Sequence, residues 1–296
     1  MRQEEITSVL TQLADLLAER YVFPDLGTRI GKLLTADRYP GELTAAEFAD
    51  RVTADLQSLN GDKHLRLLHS EEPLRDDIGD EAADLAEMAD WAARTGGGIG
   101  RVERLDGNIG LIEITPLLFP PSVAGDAIAA AMTLVAGSSA LILDVRNCRG
   151  GAPDTVTFLC SYLFDPEPRY LNGIYFRADD YTKQHWTLSH LPSPRYGPDR
   201  PVAVLTSATT FSGGEELAFD LQEHHRATIV GEVTRGGAHP REAFRLHPHL
   251  QATIPIARSV SPLSGTNWEG TGVQPDLPCP APEALPRALT HLRTRL

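Results

Sequence analysis

Apolar residues in the first sixty positions recur at helical spacing. Ile6, Val9, Leu10, Leu13, Leu16 and Leu17 share one face, which predicts an amphipathic helix ending between Tyr21 and Pro24. A shorter helix is expected from Leu26 to about Thr35, and Tyr39-Pro40-Gly41 then breaks the chain. Thr44 and Glu47 have the spacing of a capping box and open a third helix, with Phe48, Val52, Leu56 and Leu59 on one side. Asn60-Gly61 supplies its stop. The segment Gly61-Asp62-Lys63-His64-Leu65-Arg66-Leu67 follows at once and goes on to alternate like a strand. From Glu71 to Arg94 the chain is acidic and alanine-rich, and Gly96-Gly97-Gly98 closes this connector.

Beyond the glycines the pattern changes to alternating strands and helices. Ile109 to Ile114 reads as a strand, Val123 to Val135 as a helix and Leu141 to Val145 as a buried strand. A helix from about Asp154 to Leu163 and a strand from Gly173 to Tyr181 come next, then a proline- and histidine-containing loop from His185 to Asp199. Further strands are expected near Thr228 to Val230, Ala243 to Leu246 and Ala252 to Ile256, and a helix from Pro282 to Leu292. The pattern implies an N-terminal helical subdomain over residues 1–75, a connector over 76–103 and an α/β core over 104–296.

Two turns in that core carry candidate chemistry. Val202 to Leu205 reads as a buried strand, Thr206 to Ser212 as a polar turn, and Leu217, Ala218 and Leu221 mark a helix face. Ser212 therefore falls at a strand–turn–helix junction, where the N–H groups of Gly213 and Gly214 and the positive end of the helix dipole converge. The same four residues, Ser212-Gly213-Gly214-Glu215, also spell an S-x-x-E capping box, in which the serine hydroxyl only satisfies the backbone. The second turn, Asp144-Val145-Arg146-Asn147-Cys148-Arg149-Gly150-Gly151, also joins a strand to a helix. It suits an anion or oxyanion, and equally a tight structural turn, to which Asp144, Arg146 and Asn147 are assigned. Neither turn has the glycine spacing of a nucleotide site.

Composition narrows the field. The net charge is 27 − 40 = −13, which disfavours nucleic acid and anionic membrane as partners. No apolar run approaches a membrane span, and the acidic N-terminal stretch lacks the pattern of a secretion signal, so a cytoplasmic location is expected. Cys148, Cys160 and Cys279 have no paired spacing and read as buried thiols. His224, His225, His247 and His249 lack an accompanying carboxylate signature, so no metal and no cofactor are expected.

Four segments taken together, LILDVRNCRGG, LTSATTFSGGEELA, IVGEVTRGGA and TNWEGTGVQPD, resemble the serine peptidase family of C-terminal processing proteases and the tricorn core. The GDKHL segment resembles its interphotoreceptor retinoid-binding-protein-like branch. The resemblance implies a ClpP/crotonase-like β-β-α spiral core behind a helical N-terminal subdomain. It also implies Ser212 as nucleophile, His64 as general base and Glu269 as the orienting acid, with Gly150 or Gly151 and Gly213 forming the oxyanion hole. Gly237 stands where the processing proteases carry a lysine, and the chain's lysines, Lys32, Lys63 and Lys183, lie elsewhere, so a Ser–Lys dyad of that spacing is excluded. Lys63 replaces the serine that precedes the tricorn histidine, and no segment is long enough for a PDZ domain between subdomain and core.

The implied activity is a serine hydrolase, a peptidase working through an acyl-enzyme on a peptide or small acyl substrate. Two other readings share the residues. One is a non-proteolytic binding module for an apolar ligand, and the other a hydrolase or cyclase for a small biosynthetic intermediate. Assembly state is left open.

Overall fold

The computed structural model describes residues 1–296, which gather into two compact units. The first comprises residues 1–85, 174–183 and 239–259, and the second comprises 86–173, 184–238 and 260–296.

In the first unit the predicted helices form at Gln3–Arg20, Pro24–Gly31 and Ala45–Gln57. Thr44 caps the third in full: its hydroxyl accepts the Glu47 N–H at 3.2 Å, and the Glu47 carboxylate accepts the Thr44 N–H at 2.9 Å. The apolar faces converge, burying Ile6, Val9, Leu13, Leu17, Ile30, Phe48, Val52 and Leu56 in one cluster. A three-stranded antiparallel sheet completes it, in the order Arg66–His69, Leu250–Pro255, Arg241–His247. Leu67 pairs with Ala252, which turns Leu67, Leu250, Ala252 and Ile254 into the same core.

The second unit is built on a six-stranded sheet. Ile99–Leu105 runs antiparallel to Ile109–Ile114, and Ala140–Asp144, Val202–Thr206, Thr228–Gly231 and Leu277–Pro278 are then added in parallel, in sequence order. Ala140–Asp144 and Val202–Thr206 are buried along their whole length, as parallel strands covered on both faces must be. Leu141, Leu143, Val202 and Val204 face the helices Pro121–Val135, Pro153–Ser161 and Gly213–Glu223. Ala140, Ile142, Ala203 and Leu205 face the C-terminal helix, Ala284–Arg293, through Ala284, Ala288 and Leu292.

This architecture corrects the expected ClpP/crotonase-like spiral. In the six-stranded sheet the one antiparallel pair is the Ile99–Leu105/Ile109–Ile114 hairpin. From there the sheet grows by single parallel strands across one open surface, with Ala140–Asp144 and Val202–Thr206 buried on both faces at its centre and the short, partly exposed Leu277–Pro278 at its edge. The single strand expected from Gly173 to Tyr181 is also two strands, Tyr170–Phe176 and Tyr181–Trp186, separated by a turn with Asp180 at φ 45°. His185 therefore lies in a strand rather than in the expected loop.

Candidate active site

Two turns in the second unit meet because their strands are parallel neighbours. Asp144 pairs with Leu205, so the chain leaves both strands at the same sheet edge, the usual place for a site in a parallel sheet. Thr210 donates its hydroxyl to the Val145 carbonyl at 2.9 Å, Ser207 donates to the Arg146 carbonyl at 2.6 Å, and the Phe211 N–H donates to Cys148 at 3.1 Å. Arg146 is held by Asp144 through two side-chain bonds, at 2.9 and 2.6 Å, and donates to the Ala281 carbonyl. Its role is to brace the turn.

Ser212 sits at the head of the Gly213–Glu223 helix with φ 50° and ψ −121°, a conformation costly for a residue with a Cβ. The residues stand in capping-box geometry, but its two halves are not equally bonded. The Glu215 carboxylate accepts the Ser212 N–H at 2.8 Å, but the serine hydroxyl makes no cap bond. The serine oxygen is therefore not spent on the helix.

Gly150 and Gly151 lie against this turn, at φ 129° and 135°. A Cβ on Gly150 would come within 3.0 Å of the Ser212 Cβ and 3.4 Å of its Oγ, and one on Gly213 within 3.0 Å of the Gly151 nitrogen. The structure thus brings together Ser212, Gly150, Gly151 and Gly213. Beneath them burial pushes the Cys148 thiol up to about 11, leaving it protonated and unreactive.

Glu269 occupies another loop of this unit. Its Oε2 accepts the Ala238 N–H at 2.5 Å, and the adjacent Trp268 donates Nε1 to the Gly237 carbonyl at 2.8 Å. The segment from Thr234 to Ala238 is further anchored by Glu215, a fully buried residue whose carboxylate accepts from Thr234 Oγ1 at 2.5 Å and from the N–H groups of Gly236 and Gly237 at 2.6 and 2.9 Å.

His64 belongs to the first unit, 6% exposed, at the end of the third helix's stop. Its N–H donates to Asp62 Oδ1 at 3.1 Å, and its carbonyl accepts from Thr253 Oγ1 at 2.6 Å. Asp62 is fully buried, and its Oδ2 accepts from the Tyr21 hydroxyl at 3.0 Å and lies 2.8 Å from Nδ1 of His239. Burial alone would raise the Asp62 pKa. The hydrogen bond and charge of His239, with the Tyr21 hydroxyl, outweigh it and hold the carboxyl below its ordinary value. Asp62, His239 and the buried role of Glu215 were not singled out from the sequence. The one visible hint was polar residues inside otherwise apolar or glycine-rich stretches.

The family model described as peptidase family S41 matches residues 108–279, more than half of the chain. The chain belongs to peptidase family S41. A model of the N-terminal domain of this family in eukaryotic IRBP matches residues 2–92. The S41 chain is 29% identical over 140 residues to a carboxyl-terminal-processing protease of Synechocystis, a match covering 47% of the chain and 31% of that relative. The chain thus spans less than a third of the length of this curated relative. Its fold is similar to that of a lipoprotein from Streptococcus agalactiae (TM-score 0.63, 17% identity, 98% and 97% of the two chains covered). It is likewise similar to the photosystem II D1 C-terminal processing protease (TM-score 0.56, 15% identity, 99% and 97% covered). The S41 fold is therefore that of the processing proteases, in place of the spiral expected from sequence. No helix is long and apolar enough to cross a membrane.

Proposed function

We propose that this chain is a serine peptidase that cleaves peptide amides through an acyl-enzyme. The observation that carries the reading is Ser212 itself. Its backbone is held at positive φ on a strand–turn–helix junction, its hydroxyl makes no cap bond, and Gly150 leaves open the space beside it. A residue with no task beyond starting a helix gains nothing from that strain.

In this reading His64 accepts the Ser212 proton as Oγ attacks the scissile carbonyl, and returns it to the departing amine. Water then attacks the acyl-enzyme, again losing its proton to His64, and releases the carboxylate product and the serine. Glu269 holds the imidazole in the required tautomer. The N–H of Gly213 and that of Gly150 or Gly151 receive the oxyanion, a contribution of about 3 kcal/mol for each donor. The membership of the chain in a peptidase family supports the reaction class.

The test is labelling of the purified protein with a fluorophosphonate, followed by peptide mass mapping. Label on Ser212, abolished by Ser212→Ala and strongly slowed by His64→Ala, is the expected result. An unlabelled Ser212 in a protein that nonetheless cleaves a peptide library would transfer the chemistry to another residue.

A further inference from the structure

A glutamate whose only task is to complete a capping box sits at the surface and accepts one N–H. Glu47, in the box of the first unit, does that and is exposed. Glu215 has the same spacing from Ser212 but is fully buried. Its two oxygens accept four donors. Oε1 takes the Thr234 hydroxyl and the Gly236 N–H, and Oε2 takes the N–H groups of Gly237 and Ser212. Three of the four come from a segment 19 to 22 positions away.

That segment leads directly to the loop of Glu269. The Thr234 hydroxyl, while donating to Glu215, accepts the Val273 N–H at 2.7 Å. The Gly237 carbonyl accepts from Trp268 Nε1, and the Ala238 N–H donates to Glu269 at 2.5 Å. One carboxylate is therefore bonded to the peptide of the proposed nucleophile and, through a single strap, to the loop of the proposed orienting acid. All four bonds to the carboxyl group have its oxygens as acceptors, three of them from backbone N–H groups that can only donate. Burial raises its pKa above the ordinary value, and the four donors offset only part of that rise.

We propose that Glu215 is a positioning residue of the reaction: it holds Ser212 in its strained backbone conformation and fixes the Thr234–Ala238 strap, and with it the Glu269 loop, in register with the nucleophile. This rests on Ser212 being the nucleophile. Displacing a reacting atom by about 1 Å costs on the order of 100-fold in rate. Loss of the carboxylate is therefore read in the chemical step and not in ligand affinity.

The experiment measures fluorophosphonate labelling of Ser212 under saturation, which separates the limiting rate constant from the half-saturating concentration. Glu215→Gln replaces one acceptor oxygen with an NH2 group that faces two donors. Its limiting rate should fall about 100-fold at unchanged half-saturation. Thr234→Val, which removes one donor and leaves the carboxylate, should fall about 10-fold and serves as the variant if Glu215→Gln does not fold. Leu292→Ala, in the core beneath the C-terminal helix, lowers stability without touching this strap and should label like wild type. If Glu215→Gln (or Thr234→Val in its place) labels at the wild-type limiting rate, or slows no more than Leu292→Ala does, the positioning role is wrong. Wild-type protein that is not labelled at Ser212 overturns the nucleophile assignment instead, and the two failures are thereby told apart.

Discussion

Asp62 Oδ2 lies 2.8 Å from Nδ1 of His239, although 177 positions separate the two residues. Tyr21 and the His64 N–H complete the shell of the carboxylate, Asn60 donates to the Tyr21 oxygen at 2.6 Å, and Phe23 packs edge-on against the His239 ring. A buried carboxylate is tolerable only when paired and hydrogen-bonded, and each partner here comes from a different part of the chain. Asp62 thereby ties the stop of the third helix, which carries His64, to the first helix's end and to the later segment of the unit.

The depressed pKa of Asp62 makes this tie sensitive to acid. A carboxyl whose folded pKa is lowered contributes stability that is complete above its unfolded value, 3.8, and is lost as pH falls through the folded value. Asp62→Asn should cost about 2 kcal/mol at pH 6, and its deficit against wild type should shrink steadily below about pH 3.8. Urea unfolding at pH 6, 4 and 3 checks this, and a deficit that does not change with pH would show that the carboxylate's charge is irrelevant.

The two glycines beside Ser212 make distinct predictions. At Gly151 a Cβ would lie 2.1 Å from the Leu118 carbonyl oxygen, backbone that cannot move aside, so Gly151→Ala should fail to fold. At Gly150 the nearest atoms belong to the Ser212 side chain, at 3.0 and 3.4 Å. Gly150→Ala, strained at φ 129°, should fold with a loss of about 2 kcal/mol and lose fluorophosphonate labelling. Circular dichroism melts with parallel labelling distinguish the two, and a well-labelled Gly150→Ala would show that the space beside the serine is not needed.

Much of this was legible in the sequence. The faces of the Gln3–Arg20 and Ala45–Gln57 helices follow from apolar residues at intervals of three and four, because a helix's burial is a local property of its periodicity. The Ser212 and Gly150 turns were legible for a similar reason, each being a buried strand followed by small residues and a helix start. The shape of the sheet was not. Ala140–Asp144 is buried at every position, and such a run says that both faces are covered without saying which strand lies beside it. Nor was the strap: Glu215 is spelled as a cap, and only the return of Thr234, Gly236 and Gly237 to its oxygens distinguishes it from Glu47. The turn between Tyr170–Phe176 and Tyr181–Trp186 was hidden because Arg177-Ala178-Asp179-Asp180 lacks glycine and proline.

Trp268 tests the loop of Glu269 without altering a charge. Its indole is 2% exposed, packs 5.1 Å from the Phe219 ring centroid and donates Nε1 to the Gly237 carbonyl. Trp268→Phe keeps the aromatic packing and removes the donor, leaving a buried carbonyl short of a partner, and should cost about 1–2 kcal/mol. Hydrogen exchange should rise at Ala238 and in residues 269–273 before it rises in the sheet. Uniform exchange across the unit would mean that the indole is packing material and does not pin the strap.

The same four-residue motif occurs twice with different outcomes, and the difference separates a cap from a nucleophile. At Thr44 both halves of the box are made, so Thr44→Ala should lose about 1 kcal/mol, as for any functioning N-cap. At Ser212 the hydroxyl makes no cap hydrogen bond, and the bond that is made, from the Ser212 N–H to Glu215, uses a backbone group that any residue supplies. Ser212→Ala should therefore leave stability within about 0.5 kcal/mol of wild type while abolishing labelling. Ser212→Gly should go further and gain about 1 kcal/mol, since glycine adopts φ 50°, ψ −121° without steric cost and the strain is relieved. Urea unfolding of the three variants decides the matter. A loss at Ser212→Ala equal to that at Thr44→Ala, with no gain at Ser212→Gly, would make the hydroxyl a cap after all and remove the physical ground for reading this serine as the reactive one.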